Sequence, residues 1–158
     1  VVMSGSSAGG NLAAAVMMRA QDEGLPLPAG LMLLTPALDL TESGDSFQTN
    51  RYLDVNLIGA DGVAALYAPG QDLTHPYLSP LFGNIGPDWP PTLLMSGTRD
   101  KLLSDTVRMH RLLRKAGVAA ELHIGEASPH GGFMGSGAPE DMDMMAEFQR
   151  FIYSAWGV

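Results

Sequence analysis

At 158 residues and 46% hydrophobic content, the chain is sized for one domain with a core of ordinary volume. Nine basic residues against seventeen acidic ones give a formal charge of −8 with no Lys/Arg cluster, which argues against nucleic acid as a partner. The lack of cysteine excludes disulfides, thiolate metal sites and a cysteine nucleophile, and no apolar run approaches the roughly 20 residues of a membrane span.

The opening residues VVM read as the end of an apolar strand. Residues Asn11 to Arg19 are strong helix formers, apolar on nearly every face, which predicts a buried helix. Gly and Pro in Asp22 to Gly30 end it, and Leu31 to Pro36 is a continuous apolar run suited to a central parallel strand. Residues 37–90 (Ala37 to Pro90) break the rhythm: long, rich in turn formers, with one short helical candidate over Ala60 to Tyr67. A connection of that length predicts a lid or pocket-forming insertion, with Leu57, Ile58, Leu66 and Tyr67 as candidate lining. Pro91 to Gly97 is a second buried strand, and Ser104 to Ala116 a helix with its stripe at Thr106, Met109, Leu113 and Ala116. Ala119 to Gly125 alternates as an edge strand does, and Asp141 to Ala155 is a last helix, with its stripe at Met142, Met145, Phe148, Ile152 and Ala155. The order implies an α/β fold: a mostly parallel sheet of about four strands with helices on both faces and functional groups at the strands' carboxyl ends.

Three positions carry the candidate chemistry. Ser7 sits in Gly-x-Ser-x-Gly (Gly5, Ser7, Gly9) between a strand and a helix. There a sharp turn projects the hydroxyl, and the Ala8 N–H, at the helix start, points toward an oxyanion. The same turn lacks the spelling of a P-loop or of a dinucleotide fingerprint. A nucleophilic serine needs a base and an orienting acid. Asp100 follows the strand ending at Gly97, whereas its competitor Asp105 follows Ser104, a plausible N-cap, and reads as a first-turn dipole partner. Of the four histidines, His75 reads as a turn residue, His110 as helical packing, and His123 as the polar face of an edge strand. His130, beyond the last strand and followed by Gly131-Gly132, is the candidate base.

With these residues named, the chain resembles the hormone-sensitive-lipase-like branch of the α/β-hydrolases. GSSAGGNLAAAV is similar to that branch's nucleophile motif, SGTRDKLLSD to its acid loop and PHGGF to its histidine loop, and the order Ser7, Asp100, His130 is the family's order. HPYLSPLFG and WPPTLLMSG resemble its approach to the penultimate strand, while Ser6 stands where the branch usually has Asp. The resemblance implies a serine carboxylic-ester hydrolase acting on a small ester or lactone, without metal or organic cofactor. It also implies that residues 1–158 are the carboxyl-terminal half of a single domain, strands five to eight, lacking the upstream His-Gly-Gly-Gly loop and expected to be inactive alone. A peptidase or amidase on the same scaffold, and a non-catalytic binding relative, remain alternatives. The expected setting is the cytoplasm, the expected protein partner is the missing amino-terminal half, and a homo-oligomer is compatible with the sequence.

Overall fold

The computed structural model describes residues 1–59 and 62–157. Four strands, β1 (Val2–Ser6), β2 (Gly30–Leu34), β3 (Thr92–Gly97) and β4 (Ala120–Gly125), pair in parallel in chain order. Every residue of β2 and β3 is buried, which is why their sequences are continuous apolar runs and not alternating ones. The register sets Ser6 beside Leu34, Leu34 beside Met95 and Gly97 beside Gly125, so the strands finish along one common edge. β4 has the sheet margin expected of it, running from buried Ala120 to exposed Ile124.

Helices α1 (Ala8–Asp22) and α4 (Leu103–Lys115) cover one face, where Met17, Leu31, Leu33, Leu94, Met109 and Leu113 form the larger core. α5 (Pro139–Trp156) covers the other, where Phe151 meets Met32, Leu34, Leu93 and Met95. The period-two alternation of side chains along β2 thus feeds both cores. Pro139 opens α5 within its first turn, and Gly157, left-handed at φ 72°, ends it.

Two helices depart from the sequence reading. α1 is not buried all round, because Leu12 and Val16 are about half exposed while Ala13, Ala14, Met17 and Met18 face the sheet. In α5 the inward stripe is Met144, Phe148, Phe151 and Ile152, and Met142 and Met145 point outward. Methionines at 142, 144 and 145 make the apolar pattern compatible with more than one helical phase, and Phe151 against β2 settles it.

The connection between β2 and β3 carries α2 (Ser46–Thr49), α3 (Val63–Tyr67) and a 3-10 turn at Pro80–Phe82. The predicted helix over 60–67 forms from Val63, and Ala60 and Asp61 lie outside the described residues. The segment is packed: Leu38 and Trp89 are buried in the larger core, and half-buried Tyr77, Leu81 and Ile85 lean on it. Buried Asn11 of α1 donates through Nδ2 to the carbonyls of Ala37 and Leu78, both at 2.7 Å, pinning both ends of the segment's pocket-side half.

Leu94 is fully buried between β3 and the helices above it, so Leu94→Ala is expected to cost about 2–5 kcal/mol in urea unfolding. Val16→Ala, on the exposed side of α1, should change stability by no more than about 0.5 kcal/mol.

Candidate active site

Ser7 lies between the end of β1 and the first turn of α1, with φ 57° and ψ −121°, a backbone region L-residues rarely occupy. Three backbone hydrogen bonds hold it there. Its N–H donates to the Leu34 carbonyl at 2.9 Å, and its carbonyl accepts from Asn11 N at 3.1 Å and Ala37 N at 3.2 Å. The glycines around it are not equivalent. A Cβ on Gly5 would collide with the Gly9 carbonyl, and one on Gly10 would sit 2.7 Å from Pro36 Cβ, whereas one on Gly9 would meet nothing within 4 Å. The close approaches therefore require glycine at 5 and 10 but not at 9. Ala8 begins α1, so its N–H belongs to the first turn, where no intrahelical acceptor exists.

The three strand-end loops converge. His130 Nε2 is 2.8 Å from Ser7 Oγ, and His130 Nδ1 is 3.0 Å from Asp100 Oδ1. Asp100 is fully buried; its Oδ2 accepts from Ser96 Oγ at 2.6 Å and its Oδ1 also accepts from Leu102 N at 2.9 Å. The other histidines lie elsewhere. His75 is in a turn, its Nδ1 accepting from Tyr77 N, and His123 stands between Glu121 and Glu147 at 3.7 Å from each.

Beside Ser7 and Ala8 opens a largely apolar cavity of about 250 Å³, walled by Leu12, Leu40, Phe47, Leu57 and Tyr67. Of the four lining candidates, Leu57 and Tyr67 line this cavity, while Ile58 and Leu66 are exposed outside it.

A family model described as alpha/beta hydrolase fold matches residues 1–134. The chain belongs to the α/β-hydrolase fold family. An esterase of Acinetobacter venetianus is 33% identical over 135 residues, covering 78% of this chain and 42% of that protein. An acetyl-hydrolase of Streptomyces hygroscopicus is 34% identical over 119 residues, covering 74% and 40%. Among solved structures, a hormone-sensitive lipase from a metagenome library superimposes with a TM-score of 0.91 at 32% identity, over 98% of this chain and 54% of that one. The chain thus spans about half the length of the relatives it matches.

Sequence reasoning missed much of what surrounds the three residues in this hydrolase fold. Asp54, fully buried in the β2–β3 connection, accepts from Lys101 N at 2.7 Å, His130 N at 3.2 Å and Asn56 N at 3.1 Å. Asn50 Nδ2 donates to the carbonyls of Thr98 and Asp100, and Asn56 Nδ2 to that of His130. Nothing in the local spelling NRYLDVN marks these residues, since their partners on the Asp100 and His130 loops are 47 to 76 positions away. Asp54, Asp100 and His130 each offer a ligand atom within 4.8 Å of the others. Their lone pairs, however, are directed at backbone N–H groups, Ser96 and each other, a donor set suited to protons more than to a cation.

Asp105 also differs from expectation. α4 is capped at Leu102, not Ser104; Asp105 does stand in its first turn, but the carboxylate also makes hydrogen bonds outside the helix. Its Oδ2 accepts from Leu38 N at 2.8 Å and Asp39 N at 3.0 Å, which tethers the chain leaving β2 beside the cavity. Burial pushes Asp105 up to about 7 despite those two N–H donors, and its Oδ1 has no hydrogen-bond partner among the described residues. Neighbouring Asp39 goes the other way: burial raises it, but hydrogen bonds from Ser43, Thr41 and Arg108 outweigh burial and hold it below its ordinary value.

Because the folded state favours the protonated Asp105, its contribution is complete below the unfolded value of 3.8 and is lost as pH rises toward about 7. The displacement corresponds to on the order of 4 kcal/mol. Asp105→Asn should flatten the fall in stability between about pH 4 and 7 measured by urea unfolding; an unchanged slope would contradict the assignment.

Proposed function

We propose that this chain carries the reaction centre of a serine carboxylic-ester hydrolase for short-chain esters or lactones. The observation that carries the proposal is the unbroken relay from Ser7 Oγ through both nitrogens of His130 to buried Asp100. In this reading Ser7 Oγ attacks the ester carbonyl carbon while His130 Nε2 takes the hydroxyl proton. The Ala8 N–H donates to the oxyanion of the tetrahedral intermediate. Collapse breaks the bond to the alkoxy oxygen, which leaves as the alcohol with the proton from His130, and the acyl group stays on Ser7. Water then attacks, giving its proton to His130 Nε2, and the second collapse returns that proton to Ser7 Oγ and frees the acid. Throughout, Asp100 accepts from Nδ1–H, fixing the tautomer that leaves Nε2 basic and stabilising the imidazolium that forms.

The cavity beside Ser7 supports a short acyl group. Its walls are apolar, and at about 250 Å³ it is small for a binding pocket, these commonly running ~300–1,000 Å³. The names of the relatives, an esterase and an acetyl-hydrolase, agree with this substrate class.

The test is steady-state hydrolysis of p-nitrophenyl acetate and butyrate by the complete gene product and by its Ser7→Ala and His130→Ala variants. Each substitution should lower kcat by a factor on the order of 10⁴ to 10⁶ with little change in KM. Turnover that survives Ser7→Ala would overturn the proposal.

A further inference from the structure

Residues 50–56 of the β2–β3 connection reach across the carboxyl edge of the sheet to the two loops that carry Asp100 and His130. Those loops leave different strands, β3 and β4, and near the strands they touch directly: Ala127 N donates to Thr98 Oγ1 at 2.8 Å and Arg99 N to the Ser128 carbonyl at 3.1 Å. At Asp100 and His130 themselves, a third segment joins the two backbones. Asp54 Oδ2 takes the N–H of Lys101, next to Asp100, and Asp54 Oδ1 takes the N–H of His130. One carboxylate therefore bridges both loops, with one oxygen on each. Asn50 and Asn56 add the complementary half: Asn50 Nδ2 holds the Asp100 carbonyl at 2.9 Å and Asn56 Nδ2 the His130 carbonyl at 2.7 Å.

We infer that Asp54 is a positioning residue for the ester-cleaving relay, setting the reach of His130 to Asp100 and Ser7 by clamping the backbone of both loops. The inference rests on the function proposed above. It follows from geometry and from the strength of the contacts. A buried carboxylate accepting backbone N–H groups makes charge-assisted hydrogen bonds, roughly twice as strong as neutral ones. A misplacement of about 1 Å in a catalytic constellation costs on the order of 100-fold in rate. Asp54 touches neither Ser7 nor the cavity, so its removal should act on the chemical step and leave ground-state binding alone.

The experiment uses the complete gene product. Asp54→Asn keeps one acceptor oxygen and turns the other position into an NH₂ facing an N–H donor, releasing one loop. The expected result is a 10- to 100-fold fall in kcat with KM within about threefold, and the same fall in the rate of labelling by a fluorophosphonate. In a His130→Ala background the same substitution should cost nothing further, because Asp54 acts through His130. Asn56→Ala, at an exposed residue, is the second variant should Asp54→Asn fail to fold; it loses the bond to the His130 carbonyl and should lower kcat and labelling three- to tenfold. Unchanged kcat in the folded variants, a loss confined to KM, or full multiplication of the loss in the His130→Ala background would overturn the assignment. The outcomes separate from those of the proposed function: activity that survives His130→Ala refutes the relay, whereas a dead His130→Ala variant beside a fully active Asp54→Asn refutes only the clamp.

Discussion

The site depends first on the backbone of Ser7. An L-residue at φ 57° and ψ −121° costs about 1–3 kcal/mol, and it persists only where its surroundings over-determine it. Here they do: β2 supplies the acceptor at Leu34, α1 the donor at Asn11 and the chain leaving β2 the donor at Ala37. The glycines at 5 and 10 allow the helix start and Pro36 to approach closely enough for those bonds to form. The strain turns the hydroxyl away from the strand axis toward the edge where the other strands also end, and that edge is where His130 meets it.

Around this point the β2–β3 connection acts as the organiser of polar groups. Asn11 fastens it to α1, Asp105 fastens its first residues to α4, and Asp54 with Asn50 and Asn56 fastens its middle to the Asp100 and His130 loops. Each tie is a buried side chain that would be costly to leave unpaired, or an amide reaching a backbone carbonyl. The same connection contributes Leu40, Phe47, Leu57 and Tyr67 to the cavity wall, so anchoring the loops and shaping the apolar pocket are done by one stretch of chain.

The sheet was legible because β2 and β3 are buried on both faces and spell that burial directly. The proximity of Ser7, Asp100 and His130 was legible for a related reason: each lies just past an apolar run, and parallel strands bring such positions to one edge. Helix faces were less so, since α1 is apolar beyond the stripe it buries and α5 carries methionines on both sides. What sequence could not reveal were long-range polar ties. Asp54 and Asp105 look like any loop and first-turn carboxylates, and only the folded chain brings backbone N–H groups from 47 and 67 residues away onto them. The pentad spelling includes Gly9, where a Cβ would meet open space, and leaves out Gly10, where a Cβ would meet Pro36.

Peptide mapping by mass spectrometry after reaction of the complete gene product with a fluorophosphonate tests the nucleophile assignment most directly. The geometry predicts one phosphonyl group per chain, on the tryptic peptide that contains Ser7, with its formation slowed by an excess of a short-chain ester. An adduct on any other residue, or none on a protein that hydrolyses such esters, would contradict it.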